Sequence, residues 1–214
     1  VVIEEGRGDR GADARMRDKQ YPILLKDSQY AKRPTIGEKA VLDTFRHETL
    51  RRFYKDWYRP DLMSVIAVGD FDGAQIEELI RDTFSRIPRA VNPRPRKVYP
   101  VPDHDETLFA IASDSEAARS RVIVYYKLPV GPYQTEADYR QMLVAGLYNR
   151  MLNQRLFELT KQEDPPYLGA GGGRSRFVGS KDAFSLGAVV KNNGIEPGLE
   201  ALLTEAARVQ RHGF

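Results

Sequence analysis

No cysteine occurs in the 214 residues, which removes disulfides, cysteine nucleophiles and cysteine-ligated zinc at one stroke. The same absence fits the cytosol and a periplasm that does without disulfides, so the compartment stays open between the two. No apolar run approaches the ~20 residues of a membrane-spanning helix. The first residues, Val1-Val2-Ile3-Glu4-Glu5, have neither the basic region nor the apolar core of a signal peptide. They read as the interior of an element, so a fragment is expected. No sign of charge dominates: 33 basic residues face 30 acidic ones, for a net charge of +3. A pI near 9.0 therefore argues little for a nucleic-acid partner, because nucleic-acid binders gather their Lys and Arg on one face. The densest basic stretch, Arg86 to Lys97, is threaded with prolines and reads as a solvated linker.

What is present suffices for a packed core, with 41% hydrophobic residues in a chain long enough for one large domain or two modest ones. Residues 1 to about 30 look helical but are interrupted by Gly6, Gly8 and Gly11, and Pro22 kinks or ends the segment. A loop follows from Lys32 to Gly37. Between His47 and Tyr58, the residues Leu50, Phe53, Tyr54, Trp57 and Tyr58 recur at helical spacing and form one apolar stripe. Leu62 to Val68 is a nearly continuous apolar run of strand length, expected to be covered on both faces. Asp72 is placed to cap the next helix, which carries Ile76, Leu79, Ile80, Thr83, Phe84 and Ile87 at helical period. Five of the thirteen prolines then fall between Pro88 and Pro102. Such a stretch cannot keep regular backbone hydrogen bonding, and a domain boundary is expected there.

Beyond the boundary, Thr107–Ala112 and Arg121–Leu128 read as strands. Thr135 to about Gln162 reads as a long helix with Tyr139, Met142, Leu143, Leu147 and Leu152 on its buried side. A Gly-rich stretch from Tyr167 to Phe177, a strand from Ala183 to Lys191 and a helix from Glu196 to Arg211 complete the chain. Connections as short as 177–183 are too tight for parallel crossovers. The expected fold class is therefore α+β, with antiparallel or mixed sheets covered by helices on one face.

Three stretches carry a resemblance: Val1-Val2-Ile3-Glu4-Glu5, the segment RRFYKDWYRPDLMSVIAVGDFD at 51–72, and NQRLFEL at 153–159 followed by Tyr167 and a Gly-rich strand. In order and spacing they resemble the pitrilysin/insulinase family of zinc peptidases, and the second stretch is the specific one. The resemblance implies two consecutive, incomplete domains of that fold. Residues 1–87 would be the C-terminal part of the catalytic zinc-peptidase domain, 88–106 a Pro-rich linker, and 107–214 the N-terminal part of the following structural domain.

That family's chemistry needs an inverted motif, His-x-x-Glu-His, in which two histidines bind zinc and the glutamate acts as general base. A downstream glutamate completes three protein ligands and leaves the fourth position for water. None of the three histidines here, His47, His104 and His212, sits in such a motif. The general base and both histidine ligands would lie upstream of Val1. By the resemblance Glu5 is the remaining zinc ligand, and Glu4 is its solvent-facing neighbour or a group behind it. Zn²⁺ is the implied cofactor of the full-length enzyme, but the chain alone is expected to bind none stoichiometrically and to cleave nothing. The implied partners are a peptide substrate and a second peptidase half, fused or separate. No nucleic acid and no membrane span are expected.

The remaining candidates have plainer readings. His47 opens an amphipathic helix and reads as a surface or capping residue. Asp103, His104 and Asp105 are adjacent, and adjacent side chains seldom point at one ion. The run GAGGGR, residues 169–174, lacks the GxxxxGK[ST] pattern of a phosphate loop; its glycines read as permitting close backbone approach at a strand. In the distal half of the family an Arg–Tyr pair helps to hold substrate. Thr160, Lys161, Pro165 and Pro166 surround the corresponding Tyr167, so neither Arg155 nor Tyr167 is expected to bind substrate. The function implied is a share in an endopeptidase that encloses peptides or unfolded polypeptides in a chamber. The alternative is a metal-free scaffolding or presenting subunit, against which Glu5 argues.

Overall fold

The computed structural model describes residues 2–8, 11–33 and 35–214. In chain order its elements are α1 (Val2–Gly8), α2 (Ala12–Leu24), α3 (Lys39–Thr44), α4 (His47–Trp57), α5 (Gly73–Phe84), β1 (Ser120–Leu128), α6 (Glu136–Leu159), β2 (Gly169–Val178), β3 (Lys181–Val190) and α7 (Ile195–His212). They fall into two compact units, one built from Val1–Ile36 with Val98–Phe214 and the other from Gly37–Lys97.

Local chemistry sets the helix boundaries. The Asp72 carboxylate accepts the Ala74 and Gln75 backbone N–H groups at 2.8 and 3.1 Å and opens α5, as expected of an N-cap. At the start of α6, Thr135 accepts the Asp138 N–H at 3.2 Å while Asp138 accepts the Thr135 N–H at 3.0 Å, a reciprocal capping box. Pro22 lies inside α2, which ends two residues later.

In the larger unit the three strands form one antiparallel sheet in the order β1-β3-β2. β3 is central, and its Leu186, Ala188 and Val190 alternate onto one face. On that face they meet Leu152 and Leu156 of α6, Leu202 and Val209 of α7, and Tyr167. Two glycines make this packing possible. A Cβ at Gly172 would lie 2.6 Å from Leu186 Cδ2, and one at Gly198 would lie 2.5 Å from Val190 Cγ1; both distances are impossible for real side chains.

The smaller unit has no core of its own. Its only buried residue is Arg59, whose guanidinium lies over the Trp57 ring at 5.9 Å and pairs with Asp61 at 3.2 Å. Leu50, Phe53, Tyr54 and Tyr58 of the α4 stripe are all more than half exposed.

Three sequence expectations need correction. Residues 62–68 form no strand: Ile66 and Val68 are 83% and 92% exposed, and among the described residues no segment pairs with them. A strand exists only through a neighbour's hydrogen bonds, however apolar its sequence. Residues 107–112 also lack a ladder. They keep the alternation of an extended chain, with Leu108 and Ala110 half-buried and Phe109 and Ile111 turned outward. On α6, Leu152 is buried as expected, but Tyr139, Met142, Leu143 and Leu147 are exposed, because the helix meets the core through Leu152 and Leu156 in its second half. The compact units are built from non-consecutive segments: residues 1–36 cluster with 98–214, and Gly37–Lys97 form the second unit.

Candidate functional site

Glu4 and Glu5 lie in the first turn of α1, and both are exposed. Negative charge is favoured at this end of a helix by the unpaired N–H groups and their dipole. Among the described residues there is no group of three or more His, Cys, Asp or Glu side chains that could hold a metal ion. The donor set therefore fits zinc only in part. Glu5 offers an accessible oxygen ligand of the right kind, but two further protein ligands would have to come from outside this chain.

Three residues separate α1 from α2, and α2 is held by polar contacts. Arg15 grips Asp114 at two points, Nε to Oδ2 at 2.7 Å and Nη2 to Oδ1 at 2.6 Å, and reaches Glu116 at 2.6 Å. The Arg15 hydrogen bonds, helped by the Glu116 backbone N–H, pull the Asp114 carboxyl down to about 2, and the same pairing raises the Arg15 guanidinium. Farther along, Gln20 donates to the Ala110 carbonyl at 3.3 Å and Lys26 pairs with Glu106 at 3.0 Å. From β1, Lys127 donates to the carbonyl of Leu24 at 3.0 Å, at the end of α2 where helix carbonyls lack intrahelical partners.

The other candidates are committed elsewhere. Tyr167 is fully buried, and its hydroxyl donates to the Leu156 carbonyl at 2.9 Å. Burial pushes that hydroxyl up to about 12, with the nearby Glu205 adding to the effect. Arg155 is ion-paired with the buried Glu205, which Arg208 also approaches at 3.4 Å. Both residues are thus part of the packing between α6, β2 and α7. His47 sits edge-on to Phe45 with ring centroids 6.4 Å apart. Asp103 pairs with Lys181, while His104 Nδ1 lies 2.7 Å from the Glu106 carbonyl oxygen, so the Asp103–Asp105 run does not converge on an ion. GAGGGR lies in β2, where the Asn153 side-chain amide takes both the N–H and the C=O of Gly172, at 2.7 and 3.0 Å.

One cluster escaped the sequence. Asp182, 1% exposed, accepts the Gly131 N–H at 3.0 Å, Arg174 at 2.9 Å and Arg176 at 2.8 Å. Burial alone would raise its carboxyl, but the Gly131 N–H and the two guanidinium groups outweigh it and hold the carboxyl below its ordinary value. The alternation Arg174-x-Arg176 in β2, opposite an aspartate at the start of β3, is the signal that could have revealed it.

Residues 44–214 match the family described as Peptidase M16 inactive domain. The chain is 40% identical over 169 residues to the zinc protease PQQL-like of Arabidopsis thaliana, covering 78% of this chain and 18% of that protein. It is 27% identical to the probable zinc protease PqqL of Escherichia coli, over 100% of this chain and 23% of that one. It thus spans about a fifth of the length of these relatives. In three dimensions it matches the first half of the periplasmic protease PqqL from Escherichia coli with a TM-score of 0.86 and 26% identity, covering all of this chain and 46% of that one. A ferredoxin protease, FusC, solved in complex with Arabidopsis ferredoxin, matches with a TM-score of 0.77 and 25% identity, over 99% of this chain and 23% of that one.

Proposed function

The chain belongs to the peptidase M16 family, and from that premise we propose that it is part of a zinc-dependent endopeptidase acting on peptides or unfolded polypeptides inside an enclosed chamber. The observation that carries this reading is the match of the entire chain to the first half of the PqqL protease. The exposed α4 stripe and the unpaired 62–68 segment support it, since both are faces that a larger peptidase body would cover. In this reading 1–87 is the end of a catalytic domain, 88–106 a linker, and 107–214 the beginning of the structural domain that follows.

Glu5 is the one zinc ligand this chain supplies, with the two histidines and the general base contributed by polypeptide outside it. When bound, zinc would act as a Lewis acid toward water and the scissile carbonyl. The chain's own residues have simpler tasks: Glu5 contributes one negative charge and one oxygen ligand, and the sheet packs with α6 and α7 around a shared apolar core. The enzyme works with a second peptidase half, and we assign it to the periplasm, where the PqqL relative resides.

A non-catalytic scaffold of the same family is the second reading, favoured by the inactive-domain match over 44–214. Peptide hydrolysis by the full-length protein separates the two. A zinc peptidase cleaves an unstructured peptide, loses the activity on chelation and regains it with zinc, whereas the isolated 214-residue chain cleaves nothing. A full-length protein inert toward peptides with zinc present would favour the scaffold.

A further inference from the structure

Helix α6 carries two apolar faces of different fate. Leu152 and Leu156, in its second half, enter the core. In its first half Tyr139, Leu143, Leu147 and Met151 follow one another at every fourth residue, and all are 45–61% exposed. At 3.6 residues per turn this row runs on the side of the helix opposite Leu152 and Leu156. A helix with a single packing partner is apolar along one stripe, and a second stripe implies a second partner. Gly146 lies beside the row. Glycine in a helix interior costs stability relative to alanine, yet outside the helix's own backbone nothing lies within 4 Å of where its Cβ would stand. No contact among the described residues calls for that glycine, whereas the close approach of another backbone would. Between residues 139 and 151 the charged side chains are Arg140 and Arg150, with no acid among them. At the border of the row, the Phe214 ring already lies edge-on to Tyr148 with centroids 5.4 Å apart. The matched part takes up 46% of the PqqL first-half structure. In a body of that size, polypeptide outside the match is available to cover the row.

We propose that the row Tyr139, Leu143, Leu147 and Met151 seats an amphipathic helix from the same polypeptide, outside residues 1–214. That helix crosses α6 at Gly146 and turns acidic side chains toward Arg140 and Arg150. Rows spaced by four interlock with their like on a second helix. The inference rests on the reading of the chain as part of a longer peptidase, and it is independent of zinc.

The test compares the full-length protein with the 214-residue chain. Single cysteines replace Leu143, Leu147 and, as an exposed control on the same helix, Glu158. Thiol labelling is read on the peptide that carries each cysteine. In the full-length protein Leu143→Cys and Leu147→Cys should label at least about tenfold more slowly than Glu158→Cys, because a packed site reacts only when it opens. In the 214-residue chain all three should label at similar rates. Gly146→Ala gives a second reading, of opposite sign in the two proteins. It should raise the melting midpoint of the 214-residue chain, where the added methyl meets nothing, and lower that of the full-length protein, where it meets the crossing helix. Labelling of both leucine positions at the control rate in the full-length protein would overturn the inference. Protection that grows with concentration in the 214-residue chain would overturn it too, since a second copy would then be the occupant. Protection in a full-length protein that is inert toward peptides with zinc present would uphold this inference and remove the peptidase reading.

Discussion

Tyr167 shows how far a single side chain can be read from its neighbours in sequence. The loss of a nearby Arg and the Pro165-Pro166 pair argue against a role in gripping substrate, and its position in the core, bonded to Leu156, agrees. Tyr167→Phe should therefore cost about 1 kcal/mol of stability, the net worth of one buried hydrogen bond, in chemical denaturation of the 214-residue chain. The same change in the full-length protein should leave kcat/KM unaltered, and a fall in kcat/KM without a fall in stability would return Tyr167 to the substrate. Asp182 was not legible, because its partners Gly131, Arg174 and Arg176 converge only when β2 and β3 pair. Its folded carboxyl titrates below the unfolded value. Its stabilisation is therefore complete above the unfolded pKa of ~4 and is lost as pH falls through the lower folded value. Denaturation midpoints followed into acid should decline more steeply for wild type than for Asp182→Asn. Parallel declines would remove Asp182 from the acid sensitivity of the fold.

At the scale of elements, the long helices were legible, as were β1 and β3, but two further expected strands, 62–68 and 107–112, do not form. Asp72 and Thr135 are local signals, and the α4 stripe is written within eleven residues; nothing distant is needed to recognise them. A strand needs a partner, and neither 62–68 nor 107–112 has one in the sheet, despite Val, Ile and Phe in abundance. The apolar half of α6 around Tyr139, Met142 and Leu143 misleads in the same manner: its periodicity announces a buried face but cannot say which chain buries it. Amide exchange on the 214-residue chain tests this contrast. Amides of Met63 to Val68 should exchange within the fastest class, while those of β3 from Phe184 to Ala188 should be among the most protected. Protection of 62–68 equal to that of β3 would mean that this segment finds a strand partner after all.

For the whole molecule, the family and the α+β class were legible because residues 51–72 are specific and because the short connections demand antiparallel pairing. The compact units were less so. The grouping of 1–36 with 98–214 depends on Arg15, Gln20 and Lys26 finding partners some 80 to 100 residues away, which no periodicity announces. Of the proposed zinc site the sequence offers only Glu5, since a zinc site needs further ligands that the described residues do not bring together. Zinc content per mole of full-length protein, measured for Glu5→Gln and Glu4→Gln side by side, tests that assignment most directly. Neighbours on a helix point about 100° apart, so the same neutral substitution should act unequally. Zinc ligation by Glu5 predicts that Glu5→Gln loses bound zinc and peptidase activity while Glu4→Gln retains most of both; zinc retained at one equivalent in Glu5→Gln would contradict it.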